Sequence, residues 1–511
     1  MSAKVIQDYD VVVVGGGNAG LVAALSAAET PGTKIAVLEA APKEERGGNS
    51  RFAGAIFRVV HNGSSDIFPL VHETMAKDKD RVTIGPYTRE MYARDMLKTS
   101  KGYCDKEKME VMFDHSLEVV QWMHSKGVKW QLTLSKFYDE TKIHGDGEKI
   151  NMHAGGCLMA KHEGVGLTDD IWAAVEEKSD SITPFYGHPV VDLLATGDTV
   201  HGVRVRLRDT FLDFKGQVIL ACGGFEASPR LRRQFLGEGW DLVIVRGTRF
   251  NTGRMMEKAI AAGAGDTGHF GGCHATPQDI QAPKVGDLRV TDKMSRYSYP
   301  YSVMVNLDGH RFMDEGENQF GLTYAKTGGA IGRQPGATAY QIFDQKTLHL
   351  LEPRYSTATP IIADTMEELA DKIGVAKMEF LNTIRTFNDA TQPGEFNPFK
   401  LDGLNTGDKL AMPKSNWAIP LDKAPFVAYG VTCGITFTYA GLKTDDEARV
   451  LNNEGLVMSN LYAVGEISGG FFAFNYPGGA GLTKGAVFGK IAGKAAAEAA
   501  KSDQTVVIRN N

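Results

Sequence analysis

Apolar and polar positions recur with different periods along this chain, and the changes of period mark its elements. "DVVVVGGGNAGLVAAL" begins with an unbroken apolar run, Val11 to Val14, the pattern of a short strand buried on both faces. The alanine-rich run after its glycines predicts a helix. "KIAVLEA" predicts a second buried strand ending at Glu39, and "GQVILACGG" a third that stops at Gly223 and Gly224. Near the other end, "NLYAVGEISGG" predicts a strand, and "KGAVFGKIAGKAAAEAA" a helix opened by "NYPGGAGLT". Residues 365–388 carry apolar positions at helical spacing and predict two short amphipathic helices. "RYSYPY" alternates Tyr297, Tyr299 and Tyr301 as a strand would, on a face that either lines a pocket or packs. Residues 276–300, with Pro277, Pro283 and Pro300, lack a period and predict an irregular boundary, and 395–425 is turn-rich. Buried strands alternating with helices place the chain in the α/β class.

The first glycines, Gly15, Gly17 and Gly20, have the G-x-G-x-x-G spacing and enclose Asn18 and Ala19. Such a turn lets backbone approach a pyrophosphate in front of a helix N-terminus. Glu39 follows 19 residues after Gly20, where an acid accepts hydrogen bonds from ribose hydroxyls, which suits FAD or NAD better than NADP. Gly48, Asn49, Ser50 and Gly54 form a small-residue segment on which a flat ring could lie. Ala221, Gly223 and Gly224, then Gly465 and Glu466, then Gly481, Leu482 and Thr483, mark further close approaches. Their spread over both ends of the chain points to one long ligand.

At 511 residues the chain exceeds a single core, so two domains are expected. A net charge of −6 offers no electrostatic footprint for nucleic acid. Five scattered cysteines form no C-x-x-C pair, so neither a metal site nor a disulfide framework is expected. The first residues lack a signal-like apolar core and no stretch of 18 apolar residues occurs, so a cytoplasmic protein without a membrane span is expected.

In this order the motifs resemble the flavoprotein family of succinate dehydrogenase and fumarate reductase, over nearly the whole chain. The resemblance implies a Rossmann-like FAD-binding domain, residues 1–270 and 437–511, with an inserted α+β cap at 271–436 enclosing the substrate. It puts the first turn on the FAD pyrophosphate, Glu39 on the ribose, Glu466 on the ribityl chain and the helix at Leu482–Thr483 against the flavin pyrimidine edge. Covalent members carry a histidine where Asn49 stands here, so FAD is expected to be non-covalent.

The family's catalytic positions are altered. His274 in "GGCHATP" has a counterpart, and Gly309, Arg311, Phe312 and Glu315 match a shared element whose role is either structural or catalytic. Gln319, Phe437 and Tyr476, however, replace the arginine, histidine and arginine of fumarate reductases, so fumarate reduction is not expected. The motifs look most similar to the tricarballylate dehydrogenase branch, and the Tyr-Pro-Gly turn is similar to that of 3-ketosteroid dehydrogenases. Both imply hydride transfer to flavin N5 from a carbon β to a carboxylate or ketone. Tyr476 would polarise the carbonyl, and Tyr324, Tyr301 or His274 would take the α proton, with Gln319 and Arg311 as further catalytic candidates. Arg254, Arg296 and Arg333 are candidates for carboxylate recognition. No C-x-x-C-H exists in the chain, so the electron donor or acceptor would be separate. An ene-reductase or ketone desaturase served by an external redox partner, and a non-catalytic flavin-binding subunit, are the alternatives.

Overall fold

The computed structural model describes residues 5–72, 76–137 and 150–509. Strand Val5–Val14 lies inside an eight-stranded sheet, with Ile35–Glu39 and Thr210–Leu220 parallel to it on either side. Ile182–Tyr186 and Val457–Ala463 extend this parallel core. Val11 and Val13 pack into one core with Leu21 and Val22 of the helix Asn18–Ala27. Val12 and Val14 pack into a second core with Val203 and Phe214. Two covered faces are the reason for the unbroken apolar run. Thr210–Leu220 is shared along its length. Its first half forms an antiparallel hairpin with Thr199–Leu207, and its last residues pair with Val457–Ala463.

The two ends of the chain meet as crossed helices. In the helix Ala480–Arg509, Cβ atoms built on Gly489 and Gly493 would lie 2.5 and 2.2 Å from the carbonyl oxygens of Ala19 and Ala23. Glycine four residues apart on one face therefore allows backbone contact with Asn18–Ala27. Asn18 Nδ2 donates to the Leu482 carbonyl at 3.0 Å, and Ser26 Oγ to that of Lys490 at 2.7 Å. The two glycine turns are thereby locked side by side.

A six-stranded sheet is built on the long strand Phe426–Thr438. Ile244–Val245 pairs parallel to it; Cys273–Asp279, Thr338–Phe343 and Ile361–Ala363 pair antiparallel, and Val303–Asn306 joins beyond Thr338–Phe343. The irregular segment thus starts later than the sequence implied. Residues 276–279 belong to a strand, with Pro277 opposite Cys433. That strand is buried throughout yet carries polar side chains: Gln278 donates to Thr276 and Ser295, so no apolar period shows. "RYSYPY" is not a strand either. Pro300 opens a 3₁₀ turn, Tyr299–Tyr301, which sends the three tyrosines in different directions. Helices Met366–Ile373 and Lys377–Ala390 follow the expected spacing, burying Leu369, Ile373, Phe380, Ile384 and Phe387 against this sheet. Among the described residues no helix is long and apolar enough to cross a membrane.

Candidate active site

One elongated cavity of about 570 Å³ is lined by residues from both sheets. At one end lie Gly15, Gly17, Asn18 and Ala19. Gly15 takes φ +110° and turns against the Ala221 carbonyl, where a Cβ would stand 2.4 Å from the oxygen. A Cβ on Gly17 would meet only ordinary contacts, the Gly47 carbonyl oxygen and Ser50 Oγ, both at 3.6 Å. Gly17 offers no capping side chain to the helix that begins at Asn18; Ser50 Oγ accepts from the Asn18 N–H at 3.0 Å, and the positive dipole end looks into the cavity. Gly20 lies behind the turn rather than on the cavity, tight against the Gly15 carbonyl. The Glu39 carboxylate accepts from the N–H groups of Gly16 (3.0 Å) and Ala41 (2.8 Å). Burial pushes its pKa up while those N–H groups pull it back.

Gly48, Asn49, Ser50, Gly54, Ala221, Gly223, Gly465 and Glu466 line the middle. Asn49 is fully engaged: Nδ2 donates to Glu226 Oε1 and to the Thr436 carbonyl, both at 2.6 Å, and Oδ1 accepts from the Thr248 N–H at 2.8 Å. Glu466 accepts from Thr438 N–H at 2.7 Å and from its hydroxyl at 3.1 Å. Gly224 does not reach the cavity; it leaves room for Glu466, whose Oε1 would stand 2.1 Å from a Cβ there. Burial and the neighbouring Glu466 push the Glu226 carboxyl well up. Asn18 Oδ1, on the cavity, has no hydrogen-bond partner among the described residues, as expected of a group that meets a ligand.

At the other end Gly481 and Leu482 face the cavity across from an aromatic wall. His274 stacks on Phe437, with centroids 5.1 Å apart, and meets Tyr324 and Tyr476 edge-on at 5.0 and 4.9 Å. The Tyr324 and Tyr476 hydroxyls are hydrogen-bonded at 2.5 Å. Burial raises both phenols, that of Tyr476 to about 12, so both are protonated at neutral pH. Burial and the Arg246 cation push His274 well below the ordinary imidazole range, and its Nδ1 has no partner among the described residues. Tyr297 and Gln319 complete this end. His274, Gln319, Tyr324 and Tyr476 thus converge from three separate segments.

Arg311 does not join them. It pairs with Glu315 at 2.5 Å and donates to the Met412 carbonyl at 2.6 Å, a structural clamp outside the cavity. Tyr301 donates to the Pro398 carbonyl, and Tyr299 bonds Thr323 in the core. The Thr483 hydroxyl is turned inward, accepting from the Arg58 N–H and donating to the Gly479 carbonyl. Arg296 is buried against Asp279, Arg333 lies on a separate pocket, and Arg254 lines the cavity from an exposed position.

Three buried cations at the cavity were not foreseen. Arg58 Nε donates to the Gly478 carbonyl at 2.8 Å and its Nη1 to Tyr87 and Asp95, which fixes the glycine turn behind Tyr476. Arg246 donates to Asp292, to Ser295 at 3.2 Å and to Thr436 at 3.1 Å. Asp292 also binds Lys136 at 2.9 Å and Arg354 at 2.6 Å, and these cations hold its carboxyl well below the usual range against the opposing effect of burial. The third is Lys484.

Comparison with known proteins shows the family and the fold. The FAD binding domain family matches residues 10–482. NADH:acrylate oxidoreductase of Vibrio harveyi is 26% identical over 97% of this chain, which spans only 51% of that protein's length. A 3-oxosteroid 1-dehydrogenase of Mycolicibacterium smegmatis is 26% identical over 93% of this chain and 94% of its own. An open flavocytochrome c3 fumarate reductase has the same fold, with TM-score 0.69 and 22% identity over 97% of this chain and 79% of that one.

Proposed function

Because the chain belongs to the FAD binding domain family, we propose that it is an FAD-dependent oxidoreductase acting on a carbon–carbon bond next to a carbonyl, and that this carbonyl is a ketone. The Tyr324–Tyr476 hydroxyl pair carries this reading. Each phenol brings one proton. One proton lies between the two oxygens, and the other remains free to be donated outward, to a substrate carbonyl. That donor would stabilise the enolate as the α proton leaves. His274, uncharged and with an unpartnered nitrogen beside the pair, takes the proton. When bound, FAD supplies the acceptor for the hydride that leaves the β carbon.

The residues present suit FAD. The helix N-terminus at Asn18, with Ser50 beside it, and the backbone at Gly17 would hold the pyrophosphate, Glu39 the ribose, Glu466 the ribityl chain, and the helix start at Gly481–Leu482 the flavin. Asn49 carries no nucleophile where the covalent relatives have histidine, so the cofactor would be held non-covalently. Residues 271–436 would cover the substrate, and 1–270 with 437–511 would hold FAD. Electrons would enter or leave through a carrier outside these residues.

A ketone is favoured over a tricarboxylate by the charge at the wall. Arg246 and Lys136 are both committed to Asp292, and Gln319, Phe437 and Tyr476 add no charge. The test is deuterium exchange at the α carbon of a cyclic ketone in D₂O, without electron acceptor. Exchange by the native protein that is lost in His274→Gln and Tyr476→Phe is expected; equal exchange in all three would overturn the assignment.

A further inference from the structure

Lys484 is 4% exposed and lines the cavity, four residues into the C-terminal helix. Its ammonium donates to the Ser468 carbonyl at 2.5 Å and lies 4.5 Å from the Phe471 ring centroid. Among the described residues no carboxylate pairs with it. The charged groups around it are few. Lys108, on the helix Lys106–Ser125, is equally buried and repels it, although Lys108 has its own partner in Asp105 at 3.3 Å, with Asp445 and Asp446 beyond. Glu466 attracts it from the adjoining turn.

A buried cation without a counter-ion is costly, and most proteins avoid the cost by pairing it or leaving it neutral. Here the neutral form is accessible: burial chiefly, and Lys108 next, bring the pKa down to about 7. The helix N-terminus at Ala480 adds positive potential to the same end of the cavity. This corner is therefore prepared for negative charge that is present only part of the time.

We infer that Lys484 is the charge-balancing residue of the cofactor, taking up a proton as electrons arrive. The inference rests on the FAD reading above. A hydride brings two electrons and one proton, leaving one net negative charge in the cavity. Lys484 Nζ binds one proton from solvent in response, and returns it to solvent when the electron pair departs. Two electrons are then accompanied by two protons, although only one is held by the cofactor. Without Lys484 the second proton has no acceptor.

The experiment is potentiometry of the flavin-loaded protein with mediator dyes from pH 6 to 9, read from the flavin absorbance. Native protein should lose potential above pH 7 with the slope of two protons per two electrons, and Lys484→Met with half that slope. Lys484→Arg, charged at every pH, should show the half slope while keeping the native potential at pH 9 or exceeding it. Any of three results would overturn the inference: a one-proton slope in the native protein, a native slope in Lys484→Met, or a native slope in Lys484→Arg. If Lys484→Met does not fold, the native and arginine proteins decide alone. Failure of the native chain to retain any flavin would instead contradict the FAD reading, so the two failures are told apart.

Discussion

Replacing Tyr476 with phenylalanine removes one oxygen and leaves the rest of the wall in place. The ring keeps its contacts with His274 at 4.9 Å, Phe437 at 5.1 Å and Phe472 at 5.3 Å. What is lost is the bond to the Tyr324 hydroxyl and the outward donor. Leaving one buried hydroxyl without its partner costs about 1–3 kcal/mol of stability, which a chain of this size tolerates. Removing a donor aimed at developing negative charge lowers turnover by about 10²–10³. Tyr324→Phe differs in kind. It removes the neighbour that polarises Tyr476 but keeps the outward proton, so a loss of roughly tenfold, about 1.4 kcal/mol, is expected. The double variant should match Tyr476→Phe alone, because Tyr324 acts here through Tyr476. Flavin content by absorbance and the single-turnover rate of anaerobic flavin reduction separate binding from chemistry. A Tyr476→Phe rate within threefold of native, or Tyr324→Phe as damaging as Tyr476→Phe, would refute the assignment.

Other outcomes follow from the same geometry. Gly17→Val should abolish FAD retention, since the branches beyond its Cβ enter the space before the helix N-terminus; stoichiometric flavin in that variant would contradict the pyrophosphate assignment. Acid precipitation should leave the flavin in the supernatant, whereas a yellow pellet would show a covalent link. Asp292→Asn leaves Arg246, Lys136 and Arg354 sharing no carboxylate and should cost about 3–5 kcal/mol by chemical denaturation, with a change below 1 kcal/mol speaking against the cluster. The Asp292 carboxyl is depressed in the folded chain. Its contribution is therefore complete above the ordinary value of about 3.9 and is lost as pH falls through the lower folded value, so acid should destabilise the native protein more steeply than the variant.

The cofactor half of the site was legible because phosphate binding needs close backbone approach, and close approach is recorded locally as glycines at fixed spacing. Gly15 and Gly17 show it at one end of the chain, and Gly489 and Gly493 record the helix crossing that brings the other end alongside. The catalytic end is assembled from separate segments, so His274, Tyr324 and Tyr476 could be singled out only through resemblance. Arg58 and Arg246 left no local signature, because each is buried by a partner 37 or 46 residues away, Asp95 and Asp292. Lys484 has no carboxylate partner among the described residues to reveal it. Of the two roles open to Arg311, the structural one had a local signal: Glu315 stands four residues on, the spacing of an ion pair. In "RYSYPY" the alternation outweighed Pro300, which in fact opens a turn.

The central claim is that this cavity desaturates, or in reverse reduces, the bond beside a ketone. Its most direct test is anaerobic mixing of the FAD-loaded protein with saturated cyclic ketones and, separately, with di- and tricarboxylates, following the flavin absorbance band. Bleaching by at least one ketone, with formation of the α,β-unsaturated product and no bleaching by the carboxylates, is the predicted result. Bleaching by a tricarboxylate while every ketone leaves the band unchanged would contradict the account.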